Sequence, residues 1–280
     1  MNSPQACPVT GVEKILLATD RSEYSEGAVR EAINFAKRCS SKLYAMSVLE
    51  TNPEFETIGS KFFEKEEKEA QHYLESVKAR ARSEGVTCDT ELLEGEEPYR
   101  SIVNAATEKN IDMIVIGRRG RRGLAKLLIG EVASKVIGHA PCKVLVVPRA
   151  AVITYQNILV ATDGSTHANA AVQEAIAIAK RCGSHLIVLA ALRDGSELDE
   201  GKNRVNQAVE LAHAAGVAAE AVTPLGRSHD VIVETAGGRG VDLIVMGTYG
   251  KTGVQKILMG SSTEKVIKAA GCAVLVVKAA

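Results

Sequence analysis

Short apolar runs rich in Val, Ile and Leu alternate along the chain with longer stretches whose apolar residues recur every three or four positions. The first pattern suits strands buried on both faces, and the second suits amphipathic helices that cover them. In the first half the runs Lys14–Ala18, Lys42–Leu49, Thr87–Leu93, Met113–Ile116 and Lys143–Val147 predict strands. Ser25–Cys39, Lys65–Ser83, Pro98–Lys109 and Val132–His139 predict the helices between them. The order then returns, with strands expected at Asn157–Ala161, His185–Leu192, Ala218–Thr223, Leu243–Met246 and Ala273–Val277. Strands separated by crossover helices build a parallel sheet. Each half therefore reads as one β-α-β-α-β-α-β-α-β unit.

The halves are copies of one another. Ile15-Leu16-Leu17-Ala18-Thr19-Asp20 returns as Ile158-Leu159-Val160-Ala161-Thr162-Asp163. Ala36-Lys37-Arg38-Cys39 returns as Ala179-Lys180-Arg181-Cys182, and Val144-Leu145-Val146-Val147 as Val274-Leu275-Val276-Val277. Two domains follow, 1–150 and 151–280, with Pro148–Gln156 as the short linker. The offset between copies falls from 143 at Asp20/Asp163 to 130 at Gly117/Gly247, which puts most of the first copy's excess around Thr51–Glu64. The charged run Lys65-Glu66-Glu67-Lys68-Glu69 reads as a solvated helix face with internal ion pairs.

Charge narrows the function. Lys plus Arg balances Asp plus Glu at 34 each, 22 of each through residue 150 and 12 of each after it. Neither half has the basic footprint of a nucleic-acid binder, and the absence of Trp weakens any base-stacking surface. No run approaches the roughly 20 apolar residues of a membrane span. Met1–Gly11 is polar and lacks an apolar signal core, so it reads as a flexible lead-in and the cytoplasm as the compartment. Six cysteines form no CxxC pair. Cys39/Cys182 and Cys142/Cys272 are repeat-matched and read as small buried hydrophobes, while Cys7 and Cys88 carry no signal.

The chemistry gathers behind the fourth strand of the second unit. Met246-Gly247-Thr248-Tyr249-Gly250 is followed, after nine intervening residues, by Gly260-Ser261-Ser262. Glycines let backbone N–H groups approach an anion, and a helix beginning at Ser261 would aim its free amides and positive dipole end at the same point. Ser261-Ser262-Thr263-Glu264 has the spacing of a capping box. Gly250-Lys251-Thr252 is no Walker A loop, because Val245 stands where that pattern needs glycine. Asp163 follows the first strand, where a carboxylate can accept from ribose hydroxyls or, more plainly, cap the helix from Thr166.

The Gly-x2-Gly-x9-Gly-Ser pattern, the Asp after strand one and the closing Val-Leu-Val-Val strand resemble the universal stress protein family, twice over nearly the whole chain. The resemblance implies a tandem α/β protein with two doubly wound, Rossmann-like, adenine nucleotide α-hydrolase-like domains. Each would be a five-stranded parallel sheet of order 3-2-1-4-5 with helices on both faces. It implies ATP as ligand, which family members can hold with a divalent ion such as Mg or Mn. Ala161 and Asp163 would sit beside the adenosine, with Leu186 near the base. Met246 and Gly247 would end the fourth strand, and Gly250, Gly260, Ser261 and Ser262 would hold the phosphates. No catalytic residue and no acidic metal cluster is apparent. The closing strands mediate dimerisation in the resembled family, so a pseudo-dimer within the chain is expected, and a homodimer of chains besides.

The first unit keeps Asp20, Gly117, Gly120 and Gly130 but has Glu131 in place of the serine. A glutamate there supplies its own anion to the dipole and repels phosphate, while Arg118, Arg119, Arg121 and Arg122 crowd the loop. Those arginines could attract phosphate in their turn, and the site reads as vestigial or much weaker. The leading expectation is an ATP-binding stress-response protein acting as a nucleotide-dependent regulator. A slow ATPase or autophosphorylating enzyme and a ligand-independent interaction protein are the alternatives; His229 has no motif around it and suits a helix start or the surface.

Overall fold

A computed structural model of the chain describes residues 7–9, 11–51, 60–120, 129–250 and 259–279. Arg121, Arg122, Lys251, Thr252 and residues 52–59 lie outside the described residues. The first half comprises β1 Lys14–Ala18, α1 Glu26–Cys39, β2 Lys42–Glu50, α2 Ser60–Ser83, β3 Cys88–Gly95, α3 Pro98–Glu108, β4 Met113–Gly117, α4 Glu131–His139 and β5 Lys143–Val147. The second comprises β6 Asn157–Ala161, α5 Thr166–Cys182, β7 His185–Leu189, α6 Leu198–Ala214, β8 Ala219–Val222, α7 Ser228–Gly238, β9 Leu243–Gly247, α8 Ser261–Ala269 and β10 Ala273–Val277. Part of the first copy's excess is helix, since α2 has 24 residues and α6 has 17.

The ten strands among the described residues join one sheet in the order β3-β2-β1-β4-β5-β10-β9-β6-β7-β8. Each half has the order 3-2-1-4-5 and is parallel throughout. The halves meet where β5 runs antiparallel to β10, with Leu145 facing Leu275 and Val144 and Val146 facing Val276 and Val274. The closing strands thus pair with each other, and the chain is its own pseudo-dimer. That pairing consumes the edges through which a homodimer was expected to form.

Helices α1, α2, α5 and α6 cover one face of the sheet, and α3, α4, α7 and α8 the other. Both apolar clusters run through both halves without a break, because the strands alternate their side chains between the two faces. The linker is packed rather than loose. Ala151, Ile153 and Tyr155 are buried, and the Arg38 guanidinium lies 4.9 Å over the Tyr155 ring. Glu31 is buried beneath this strap; desolvation raises its pKa, opposed chiefly by Arg30 at 3.0 Å.

The N-terminal segment departs from expectation. Val9 is buried in the core, Cys7 forms a disulfide with Cys39, and Arg181 donates to the Cys7 carbonyl at 3.3 Å. Cys7–Val9 is therefore a tether rather than a lead-in, and Cys39 is no simple buried hydrophobe. A polar run with two prolines gives no periodicity from which such docking could be read. The other thiols fit the packing role. Burial pushes Cys88, Cys142 and Cys272 up to about 11, away from thiolate chemistry. Among the described residues, no helix is long and apolar enough to cross a membrane.

Candidate functional site

In the second unit the strand order reverses between β6 and β9, and their carboxyl ends open a crevice. Ala161, Asp163, Met246, Gly247, Gly250 and Gly260 gather around it. Ala161 and Met246 end neighbouring strands on the same face of the sheet. The Asp163 carboxylate accepts from the Ser165 backbone N–H at 3.0 Å. It does not cap α5. Ser165 is the cap, its hydroxyl accepting from the Ala168 N–H at 3.3 Å, which leaves the Asp163 carboxylate beside the glycine loop.

The glycines are there because of close approaches. A Cβ on Gly250 would lie 2.5 Å from Asp163 Oδ2. On Gly247 it would meet the His167 carbonyl carbon at 2.7 Å, where the first turn of α5 presses on the strand end. On Gly260 it would come within 3.1 Å of the Thr248 oxygen, the same oxygen that accepts from the Gly260 N–H at 2.9 Å. This closes the cradle into a ring with the N-terminus of α8. Gly260 is the N-cap of that helix, so Ser261 and Ser262 occupy its first two positions. The capping box is not formed. The helix starts one residue early for it, and Glu264 instead pairs with Lys268 at 2.5 Å.

Leu186 is not brought to the site. It pairs with Ile158 at the amino end of β7, wholly buried under α5 and α6. The carboxyl end of the strand is Leu189, which faces Ala161, and half-buried Ala191 follows it. Chain direction was the signal that could have found this, since the crevice lies at the carboxyl ends of the strands. Sequence reasoning also passed over two buried threonines. Thr248 donates to the Val277 carbonyl at 3.1 Å, and Thr263 donates to the Gly247 carbonyl at 3.0 Å, fixing strand end to helix. Tyr249 meets His167 edge-on at 5.4 Å beside the loop. His229, as expected, stands in the first turn of a helix, α7.

The first unit reproduces the framework with different contents. The Gly130 N–H donates to the Arg118 carbonyl at 2.9 Å, and a Cβ on Gly120 would lie 2.9 Å from Asp20 Oδ2. Arg118, however, reaches out of its own unit and donates to the Ala270 carbonyl at the end of α8, at 2.6 Å. Burial, with Arg119 adding to it, lowers its pKa. Glu131 sits at the first position of α4 and pairs with Lys135 at 2.8 Å. Arg21 replaces Gly164 at the matched left-handed position, with φ of 67° against 77°, and its guanidinium meets Glu66 at 3.0 Å.

Two fused doubly wound units, each with a glycine cradle at the strand switch, define a duplicated Rossmann-like α/β protein. The profile described as "Universal stress protein family" matches residues 11–148 and again 154–278, and the chain belongs to that family. A universal stress protein of Methanocaldococcus jannaschii is 39% identical over 145 residues, 49% of this chain and 82% of that protein. One from Synechocystis is 32% identical over 152 residues, 49% of this chain and 98% of that protein. The crystal structure of a universal stress protein from Archaeoglobus fulgidus superposes over 95% of this chain and 96% of that one, with a TM-score of 0.79 at 23% identity. That last likeness is one of fold.

Proposed function

We propose that the chain is an ATP-binding stress-response protein whose second unit, residues 151–280, senses the nucleotide while the first, residues 1–150, serves as scaffold. The observation that carries this reading is the cradle itself. A Cβ would collide with the first turn of α5 at Gly247 and with Asp163 at Gly250, and would crowd the Thr248 carbonyl at Gly260, and the cradle opens on a helix N-terminus. Ribose hydroxyls would donate to Asp163. The base would lie over the carboxyl ends of β6, β7 and β9, against Ala161, Ala191 and Met246. The phosphates would lie against Gly260, whose own N–H is held by Thr248, and take the N–H groups at Gly250, Ser261 and Ser262, together with the positive end of α8. Mg or Mn would enter with the triphosphate; among the described residues no group of three His, Cys, Asp or Glu stands ready for a metal. The Glu131 carboxylate at the matched helix start weakens the same site in the first unit.

Regulation has a physical route. The far end of α8 is held by Arg118 of the first unit, and Lys278 beside β10 donates to Gly138 and Ala140 at the end of α4, at 3.0 and 2.6 Å. Each unit thus sends a cation to the negative end of the other's loop helix. Nucleotide that shifts α8 therefore acts on the first unit through Arg118. The protein works as a cytoplasmic switch rather than a catalyst in this reading, and a homodimer would use a surface other than the closing strands.

Calorimetric titration with ATP and Mg²⁺ tests the site. Replacing both Ser261 and Ser262 by Ala removes two hydroxyls from the phosphate cradle, and affinity should fall by about tenfold or more. Unchanged affinity would move the phosphates elsewhere.

A further inference from the structure

We propose that the second unit carries another binding site, a groove between α5 and α6 that takes a small hydroxylated aromatic carboxylate. The groove holds about 420 Å³ and begins at Thr162 and Gly164, on either side of Asp163. Asn169 and Gln173 line it from α5, and Arg204 and Gln207 from α6. Val172, Ala208 and Leu211 supply an apolar wall. A flat apolar body, a few hydrogen-bonding edges and one cation are what a planar organic anion needs.

The first unit is an internal control for why this space is open. Gly85-Val86 after α2 matches Gly216-Val217 after α6, and both turns are closed by the same bonds: Val86 N–H to the Ala81 carbonyl and Val217 N–H to the Ala212 carbonyl, each 2.9 Å. In that register Tyr73 matches Arg204, Val77 matches Ala208 and Arg80 matches Leu211. In the first unit Arg80 bridges α2 to Glu26 on α1 at 2.7 Å. The second unit has Leu211 and Asn169 at those positions, with no such strut. Arg21 fills the space at the strand end and is held by Glu66, whereas the matching Gly164 has no side chain and Arg204 from α6 lies against it. The Tyr73 hydroxyl comes within 3.4 Å of Thr19, the match of Thr162. The first copy thus packs a phenol and a guanidinium beside Thr19 and braces its helices with Arg80, whereas the second has Arg204 alone beside Thr162 and a groove below it.

Arg204 selects the anion. Its Cδ comes within 3.3 Å of where a Gly164 Cβ would stand, so the loop glycine makes room for it. Its partner on the same helix is Glu200, whose side chain is 64% exposed. A ligand carboxylate can compete for that guanidinium, because an ion pair with so exposed a carboxylate is weak. Ring hydroxyls would bond Thr162 and the Asn and Gln amides, and the ring would lie on Val172 and Leu211.

The probe is 4-hydroxybenzoate, titrated without nucleotide and followed by the side-chain amide NMR signals of Asn169, Gln173 and Gln207. Its result is therefore independent of the ATP reading. Saturable shifts of these signals are expected. The double variant N169E/L211R installs the first unit's strut and should weaken binding at least tenfold while ATP affinity stays within about twofold. A208V, which restores the first unit's valine, narrows the groove more gently, should also weaken binding, and keeps the test valid where the strut disturbs folding. R204Q should weaken 4-hydroxybenzoate more than neutral 4-hydroxybenzamide. No saturable shift up to about 10 mM would overturn the proposal, since weaker binding carries no useful affinity. So would wild-type affinity in both A208V and N169E/L211R, or equal losses of both probes in R204Q.

Discussion

Gly250 shows how a single missing side chain can hold a site open. Asp163 Oδ2 occupies the space that its Cβ would need, at 2.5 Å. In Gly250→Ala the carboxylate must swing away from the ribose position. ATP affinity should fall by about tenfold or more, which calorimetry reads directly. The loop is exposed there, so the melting temperature should hardly move. Glu31 makes a different kind of prediction. Burial raises its pKa above the ordinary 4.5, so the folded state binds its proton more tightly than the unfolded state does. Its contribution is then most favourable below the unfolded pKa and falls as pH rises through the folded one. Glu31→Gln should therefore gain on the wild type as pH rises through that window, in urea titrations at several pH values. A difference that stays constant with pH would contradict the assignment.

At the scale of elements, the strands and crossovers were legible because runs buried on both faces are uniformly apolar and the helices between them are amphipathic. The closing strand could also be read, since Val-Leu-Val-Val at the end of each copy leaves an apolar edge that needs a partner. What escaped were contacts without a period. Cys7 to Cys39 closes a separation of 32 residues, and nothing in the polar sequence before Val9 announces it. Leu186 was misplaced because it came from the resemblance alone; it lies one residue past His185 at the amino end of its strand, whereas the crevice lies at the carboxyl ends. The capping serines looked like a box but begin one position inside the helix, after a glycine cap. Two measurements follow. Leu275→Ala, opposite Leu145 at the seam, should cost about 2–5 kcal/mol and lower the stability of both halves in one cooperative transition. Reducing the Cys7–Cys39 bond should cost up to about 3–4 kcal/mol by loop entropy and open the N-terminal segment to protease. Separate melting of the halves, or a reduced protein as stable as the oxidised one, would contradict these two expectations in turn.

At the scale of the molecule, antiparallel pairing of β5 and β10 puts the crevice end of one unit beside the far end of the other. That is why Arg118, at the crevice end of the first unit, can hold the last turn of α8. The edges left at the ends of the ten-stranded sheet, β3 and β8, carry Asp89, Glu91, Glu94 and Glu220, which oppose pairing with a like edge. Sedimentation should accordingly show no growth of the sheet by edge-to-edge assembly as concentration rises. The pseudo-symmetry invites the assumption of two equal sites, and Glu131 with Arg21 argues against it. The most direct test is the number of ATP molecules bound per chain at saturation, for the wild type freed of nucleotide and for Gly260→Ala. The account predicts one in the wild type and none in the variant. Two per chain, or one that survives in Gly260→Ala, would contradict the division into a sensing unit and a scaffold.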